Sequence, residues 1–288
     1  MHGGALNEAD GTLDSLVVLV AESLGYACRR MPGDIMLLEG ASRLHVSMRN
    51  LRQLARQVPR DDWPALVSDH ISTIVTAIEE PLDLSNFELA QHLLRTRIYP
   101  AEADNGMLAS RPFAPGLIEA VVVDTPTTVR TVTVDEMNGW PVSGDALFML
   151  GRANVRADGP LQVEDSTLGG APVAALHGWS FYAATHLAWL EEYLDIGPCG
   201  ALVIAPNRSL IMAHPIRPRA GYRMVLAAAH ELQVQAHQAY EQGPGSLSPH
   251  LFWRRGGEMI LLETRYEDGA LRLPRDFVDA LSTLAAES

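Results

Sequence analysis

Leu13, Leu16, Val17, Val20 and Leu24 recur at helical spacing, and Gly25 follows where such a helix stops. The pattern predicts a helix from about Thr12 to Leu24, behind a first ten residues whose Gly, Asn and acids read as disordered. Three short extended runs follow, Tyr26 to Arg29, Ile35 to Glu39 and Leu44 to Met48. Pro32-Gly33-Asp34 and Gly40-Ala41-Ser42 separate them as turns, so a meander is expected. Asp61-Asp62 then caps a second helix with Pro64 in its first turn, where proline is tolerated. Its inner face is Leu66, Val67, Ile71, Ile74, Val75 and Ile78, and Pro81 ends it. Helix, meander, helix makes one compact lobe over residues 1–98.

Residues 99–116, with Pro, Gly, Asn and acids among few large apolar side chains, read as a linker or surface loop. A C-terminal α+β domain over 117–288 is expected beyond it. Leu117 to Asp124 and Thr128 to Val132 pair around Thr125-Pro126-Thr127. Thr133 and Glu136 form a capping box for a short helix ending at Gly139, and Ser143 caps the next, to about Val155. Strands near Leu161–Glu164 and Pro172–His177 lead to an amphipathic helix from Phe181 to Leu194. Gly200 to Ala205 and Ser209 to His214 form a hairpin over Pro206-Asn207-Arg208. A long helix from Gly221 to Tyr240, a hairpin of Leu251–Arg254 with Met259–Glu263, and a helix from Pro274 to Ala286 complete the chain. The predicted class is α+β, two lobes of antiparallel sheet with packed helices. No strand–helix–strand unit opens with a Gly-rich phosphate loop, which argues against a doubly wound sheet.

The 288 residues suit one large or two modest domains, and 47% hydrophobic with 20% charged residues is enough apolar content for a sizeable core. The longest near-continuous apolar run, Leu16 to Ala21, falls far short of the roughly 20 residues of a membrane span. The opening Met1-His2-Gly3-Gly4 lacks the basic residues of a secretory signal, and two cysteines make no disulfide framework, so a reduced cytoplasm is expected. A net charge of −13 argues against a general nucleic-acid binder. Acids outnumber arginines 15 to 9 over residues 1–104 and 11 to 4 over 105–200, but 201–288 balances at 9 and 9. That last third is the part able to face an acidic partner. All 22 basic residues are arginine. A GC-rich genome accounts for this, and selection against amines near an electrophile is the functional alternative. Either way, Schiff-base, P-loop and lysine-base chemistries are excluded.

Candidate chemistry is sparse. Gly178-Trp179-Ser180-Phe181-Tyr182 approaches a nucleophile elbow but lacks its second glycine, so Ser180 reads as a helix N-cap rather than a nucleophile with His177 or His214. Cys199 reads as a small buried thiol at a strand start, and Cys28, before Arg29-Arg30, has only weak grounds for reactivity. His230 and His237 stand two helical turns apart, too far to chelate one ion, and no metal site or cofactor is expected. The paired carboxylates Asp61-Asp62, Glu79-Glu80 and Glu191-Glu192 fall at helix ends or on solvated faces. Two arginine groups stand out. Arg49, Arg52, Arg56 and Arg60, at spacings of 3, 4 and 4, align in a stripe if helical, either solvated or a docking surface for an acidic protein or lipid headgroup. Arg217, Arg219 and Arg223 lie before and within the start of the long helix, where guanidinium forks suit a carboxylate or phosphate; structural ion pairs are the alternative.

Leu117-Ile118-Glu119-Ala120-Val121-Val122-Val123-Asp124, then Thr133-Val134-Asp135-Glu136-Met137 and Trp140, resemble the YtpQ-like family of uncharacterised bacterial proteins. In that family a strand ending in an acid precedes a "v-t-x-e-x-l-x-x-w" segment and a helix ending in asparagine, matched here by Ala146-Leu147-Phe148 and Ala153-Asn154-Val155. The resemblance runs on through Tyr182 to Leu190, Ala201 to Pro206 and Leu210-Ile211, and covers roughly residues 98–262. The family's acid at the start of the Tyr182 helix is replaced here by Phe181 or Ala183. The resemblance implies an α+β assembly and brings no catalytic residues.

These readings point to a non-catalytic binding protein acting on a partner protein as an adaptor, chaperone or immunity-like factor, with a homodimer also open. Exposed antiparallel edges and the arginines Arg49, Arg52 and Arg56 would serve it. The competing reading is an enzyme acting on a small anionic ligand, with Arg217, Arg219 and Arg223 as clamp and His214 or His177 as acid–base.

Overall fold

The computed structural model describes residues 3–79, 83–125, 128–178, 181–217, 221–267 and 270–287. The class is α+β, as its apolar periodicities foretell. The chain divides into one unit of Met1–Asn86 with Thr125–Val129 and a second of Phe87–Asp124 with Arg130–Ser288.

In the first unit, helix α1 (Gly3–Ser23) precedes strands β1 (Ala27–Met31), β2 (Ile35–Glu39) and β3 (Arg43–Ser47). The strands form an antiparallel meander in the order β1-β2-β3. Helix α1 starts well before Thr12, so most of the first ten residues are helical rather than disordered. Asp10 helps hold that extension through an ion pair to Arg52. Helix α2 (Met48–Ala55), a 3-10 turn (Arg60–Asp62) and helix α3 (Trp63–Glu79) complete the unit. Pro64, second in α3, costs no internal hydrogen bond there. Leu13, Val17, Leu38, Val46, Leu51, Val67 and Ile71 fill one core between helices and meander. Ile78, expected on the inner face of α3, is instead exposed.

The second unit begins with α4 (Phe87–Ala90) and a sheet of β4 (Leu94–Pro100), β5 (Ser110–Ala114), β6 (Leu117–Asp124) and β7 (Val129–Thr131). β6 is central, with β4 and β5 as antiparallel neighbours and β7 also paired to it. Residues 99–116 therefore hold the end of β4 and all of β5 rather than a linker, and the unit boundary falls at Asn86 instead of 98. The polar composition there builds a turn: Asp104 accepts hydrogen bonds from the Gly106 N–H and the Ser110 hydroxyl. Thr133 caps α5 (Val134–Asn138) in a complete capping box with Glu136, and Ser143 caps α6 (Gly144–Ala157). Gly151 lets α6 approach β4, because a Cβ there would lie 2.9 Å from the Arg95 backbone carbon.

A six-stranded antiparallel sheet follows, built from β8 (Gln162–Leu168), β9 (Ala171–His177), β10 (Ala201–Asn207), β11 (Leu210–Pro215), β12 (Leu251–Arg255) and β13 (Glu258–Leu262). Its order is β13-β12-β10-β11-β9-β8. Strand alternation sorts the core. Ala201, Val203, Ala213 and Phe252 face a cluster that includes Ile98 of β4 and Leu117 of β6. Leu202, Ile204, Trp253 and Leu262 face α7 (Tyr222–Gln242). A small hairpin, β14 (Arg265–Glu267) with β15 (Ala270–Arg272), leads to α8 (Arg275–Glu287). Phe277 of α8 meets Trp253 edge to face. The expected amphipathic helix from Phe181 to Leu194 is instead a 3-10 segment over Ala183–Glu192 with a kink at Trp189, and most of its residues are buried. A segment packed on all sides has no need of an amphipathic stripe.

Candidate functional site

Of the residues that sequence reasoning grouped as a clamp with acid–base histidines, His214, His177, Arg217 and Arg223 are among the described residues, each with surroundings of its own. His214 is buried in β11, its Nδ1 2.6 Å from the Pro172 carbonyl oxygen. Burial pulls its pKa below the ordinary imidazole value, against the opposing effect of that carbonyl. His177 sits in β9, half-buried, with Nε2 3.3 Å from Glu164. It pairs with Leu210, four residues along β11 from His214, so the two imidazoles stand about 13 Å apart along the strand. Arg217 is exposed and donates to Asp195 at 2.7 Å. Arg223 is exposed on the first turn of α7, and Arg219 lies outside the described residues, as does Ser180.

The N-terminal stripe also comes apart. Helix α2 ends at Ala55, so Arg56 is its C-cap and Arg60 stands in the separate 3-10 turn, its guanidinium 5.6 Å from the Trp63 ring centre. Arg49 and Arg56 are exposed. Arg52 turns inward and bonds Asp10, Asp14 and Asp34 at 3.2, 2.6 and 2.9 Å. Its guanidinium is a structural ion-pair hub, because three carboxylates offset the cost of burying its charge. Arg52 is therefore an internal residue and not the surface candidate that its spacing suggests.

Cys199 is buried, with its carbonyl accepting from the Trp253 indole, and burial raises the Cys28 thiol pKa, so neither is an activated nucleophile. His237 bonds Gln233 on its own helix, and among the described residues no cluster of His, Cys, Asp and Glu is placed to hold a metal ion. No described helix is long and apolar enough to cross a membrane.

Two other places carry unsatisfied potential. The first is the β8 edge. Six of its seven residues are exposed, among them Val163, and among the described residues its only strand neighbour is β9. Alongside runs an open groove of about 530 Å³, walled by Asp165, Ser166 and Thr167 of β8, Pro172 to Ala174 of β9, Tyr193 to Asp195, Pro215 and Arg217. Asp165 and Asp195 against Arg217 leave that groove acidic. The second is a pair of arginines missed in the sequence. Arg97 of β4 lies 5.2 Å over the Tyr99 ring, and Arg208, in the β10–β11 turn, 4.8 Å over Phe181. Only the alternation Arg95-Thr96-Arg97-Ile98-Tyr99, with Arg97 and Tyr99 on one face, hints at the first.

Comparison of the chain with protein-family models, with curated proteins and with solved structures gave no match in any of the three.

Proposed function

We propose that this protein is a non-catalytic binding protein that captures an extended segment of a partner protein by strand addition to β8. One observation carries the reading: β8 is a seven-residue edge strand, almost wholly exposed, bordering an open groove. Such an edge presents unpaired backbone N–H and C=O groups, and an added strand draws affinity from them and specificity from the groove beside them. Asp165, Asp195 and the neighbouring Glu164 favour a segment with basic side chains. This basic segment is a different partner from the acidic one anticipated for residues 201–288, since the groove's carboxylates lie outside that third. The family resemblance adds no activity to this reading. A cytoplasmic setting remains part of the proposal.

Selection of random ten-residue peptides on the immobilised protein tests it. Enrichment of basic sequences with alternating β-branched residues is expected. Backbone N–H directions alternate along a strand, so either Asp165→Pro or Ser166→Pro removes a donor from the open side, and that variant loses the enriched peptides. No enrichment, or enrichment indifferent to both prolines, refutes strand addition.

A further inference from the structure

Three arginines among the described residues are buried: Arg52 at 7% exposure, Arg254 at 5% and Arg97 at 8%. Arg52 is answered by three aspartates and Arg254 by a two-pronged pair to Glu191 at 2.8 and 3.0 Å. Arg97 has no carboxylate within ion-pairing distance among the described residues, and its buried Nε has no hydrogen-bond partner there. Arg208 shares both features. Burial and then the Arg97 charge bring its pKa down to about 10.

The fold ties the backbones that carry these two side chains to one segment, and the Arg97 charge acts on Arg208. The start of the 3-10 segment bonds both strands' neighbourhoods, through Thr185 Oγ1 to the Thr96 carbonyl at 2.9 Å and the Ala184 N–H to the Arg208 carbonyl at 3.2 Å. The Arg208 N–H in turn donates to the Gly245 carbonyl at 3.0 Å. Gly245, at φ +73°, leaves room for the Arg208 stem, since a Cβ there would come within 2.5 Å of Arg208 Cδ. Aromatic rings beneath each guanidinium fix its plane. The anionic group nearby is Asp124, which lies against the Tyr182 hydroxyl and, after burial, raises its pKa. Two like charges, one buried and one half-buried, each with a buried Nε lacking a hydrogen-bond partner and with no ion-paired carboxylate among the described residues, are costly and call for an explanation.

We infer that Arg97 and Arg208 form a binding site for one phosphate-type oxyanion, independent of the β8 groove. Paired guanidiniums offer forked donors to such an anion, and a phosphate dianion balances both charges where a carboxylate balances one. The small-anion ligand anticipated from the sequence thus acquires a different address from the Arg217 region.

Titration calorimetry with inorganic phosphate, at constant ionic strength against sodium chloride and with acetate as the carboxylate comparator, tests the site. One phosphate per chain is expected, bound more tightly than acetate. Arg97→Met and Arg208→Met each weaken it by about ten-fold or more, whereas Arg217→Met leaves it unchanged. Arg208 occupies a partly exposed turn, so Arg208→Met carries the test if Arg97→Met fails to fold. Absence of saturable phosphate binding, equal binding of acetate, or full binding by a folded Arg208→Met variant overturns the inference.

Discussion

Glu119, fully buried in β6, meets Arg152 of α6 through two parallel hydrogen bonds of 2.7 and 2.8 Å. Arg111 of β5 completes the arrangement at 2.8 Å, its guanidinium 4.2 Å over the Phe148 ring. One carboxylate thereby ties a central strand to its edge neighbour and to the helix above. Glu119→Gln leaves two arginines with no formal counter-charge. It should lower unfolding free energy by about 3–5 kcal/mol, read from urea denaturation. A loss under about 1 kcal/mol would show that the network does not bind sheet to helix.

Arg52 and Arg56 are four residues apart and should respond oppositely to replacement. Arg52→Ala strands Asp10, Asp14 and Asp34 together and should cost about 3–5 kcal/mol. Arg56→Ala, on an exposed C-cap, should stay within about 0.5 kcal/mol. Parallel thermal and urea unfolding of the two variants decides the matter, and equal losses would restore the exposed stripe.

Gly200 has φ +76°, and a Cβ there would collide with the Arg254 carbonyl oxygen. Gly200→Ala should therefore destabilise by about 1–3 kcal/mol through backbone strain and displacement of β12 from β10. Circular dichroism melting measures it. Gly256→Ala, which shares the positive φ but meets nothing, should cost less.

Acid should unfold the protein in two separable stages. Burial, and after it the Arg156 charge, pull His186 down to about 4, and burial also lowers His70 and His214. Above the ordinary value of 6.5 these imidazoles are neutral in both states, so they add no pH dependence. Between 6.5 and about 4 the unfolded chain takes up protons that the folded chain refuses, and stability falls. Glu136 and Glu191 work lower down. Their folded pKa values are depressed by Arg130 and Arg254 against burial, so their contribution is present above the ordinary 4.5 and is lost below it. Urea midpoints from pH 7 to 4 should decline, and His186→Gln should remove about one proton from that slope. A flat profile over this interval would contradict the burial of these rings.

Local patterns were legible where one face of an element is buried. The meander, the capping box at Thr133 and Glu136, the Ser143 cap and both hairpins of the large sheet stand where their alternation and turn residues place them. Segments whose own residues carry no strand or helix pattern were not. β5 and the end of β4 carry loop-like composition, and their strand character comes from pairing with β6. The 3-10 segment is buried all round, which erases the periodicity that distinguishes helix types. Sites suffered most. Arg52 looks like a surface residue at i, i+4 spacing until three distant aspartates claim it. Arg97 and Arg208 are more than a hundred residues apart, and the Thr185 and Ala184 hydrogen bonds that tie Thr96 and Arg208 to one segment leave no mark in the sequence.

The most direct measurement is backbone amide exchange of the protein with and without a selected basic peptide. Strand addition predicts new protection concentrated in residues 162–168, on alternate amides, with β13 at the opposite edge unchanged. Protection elsewhere with β8 still exchanging freely would contradict the account.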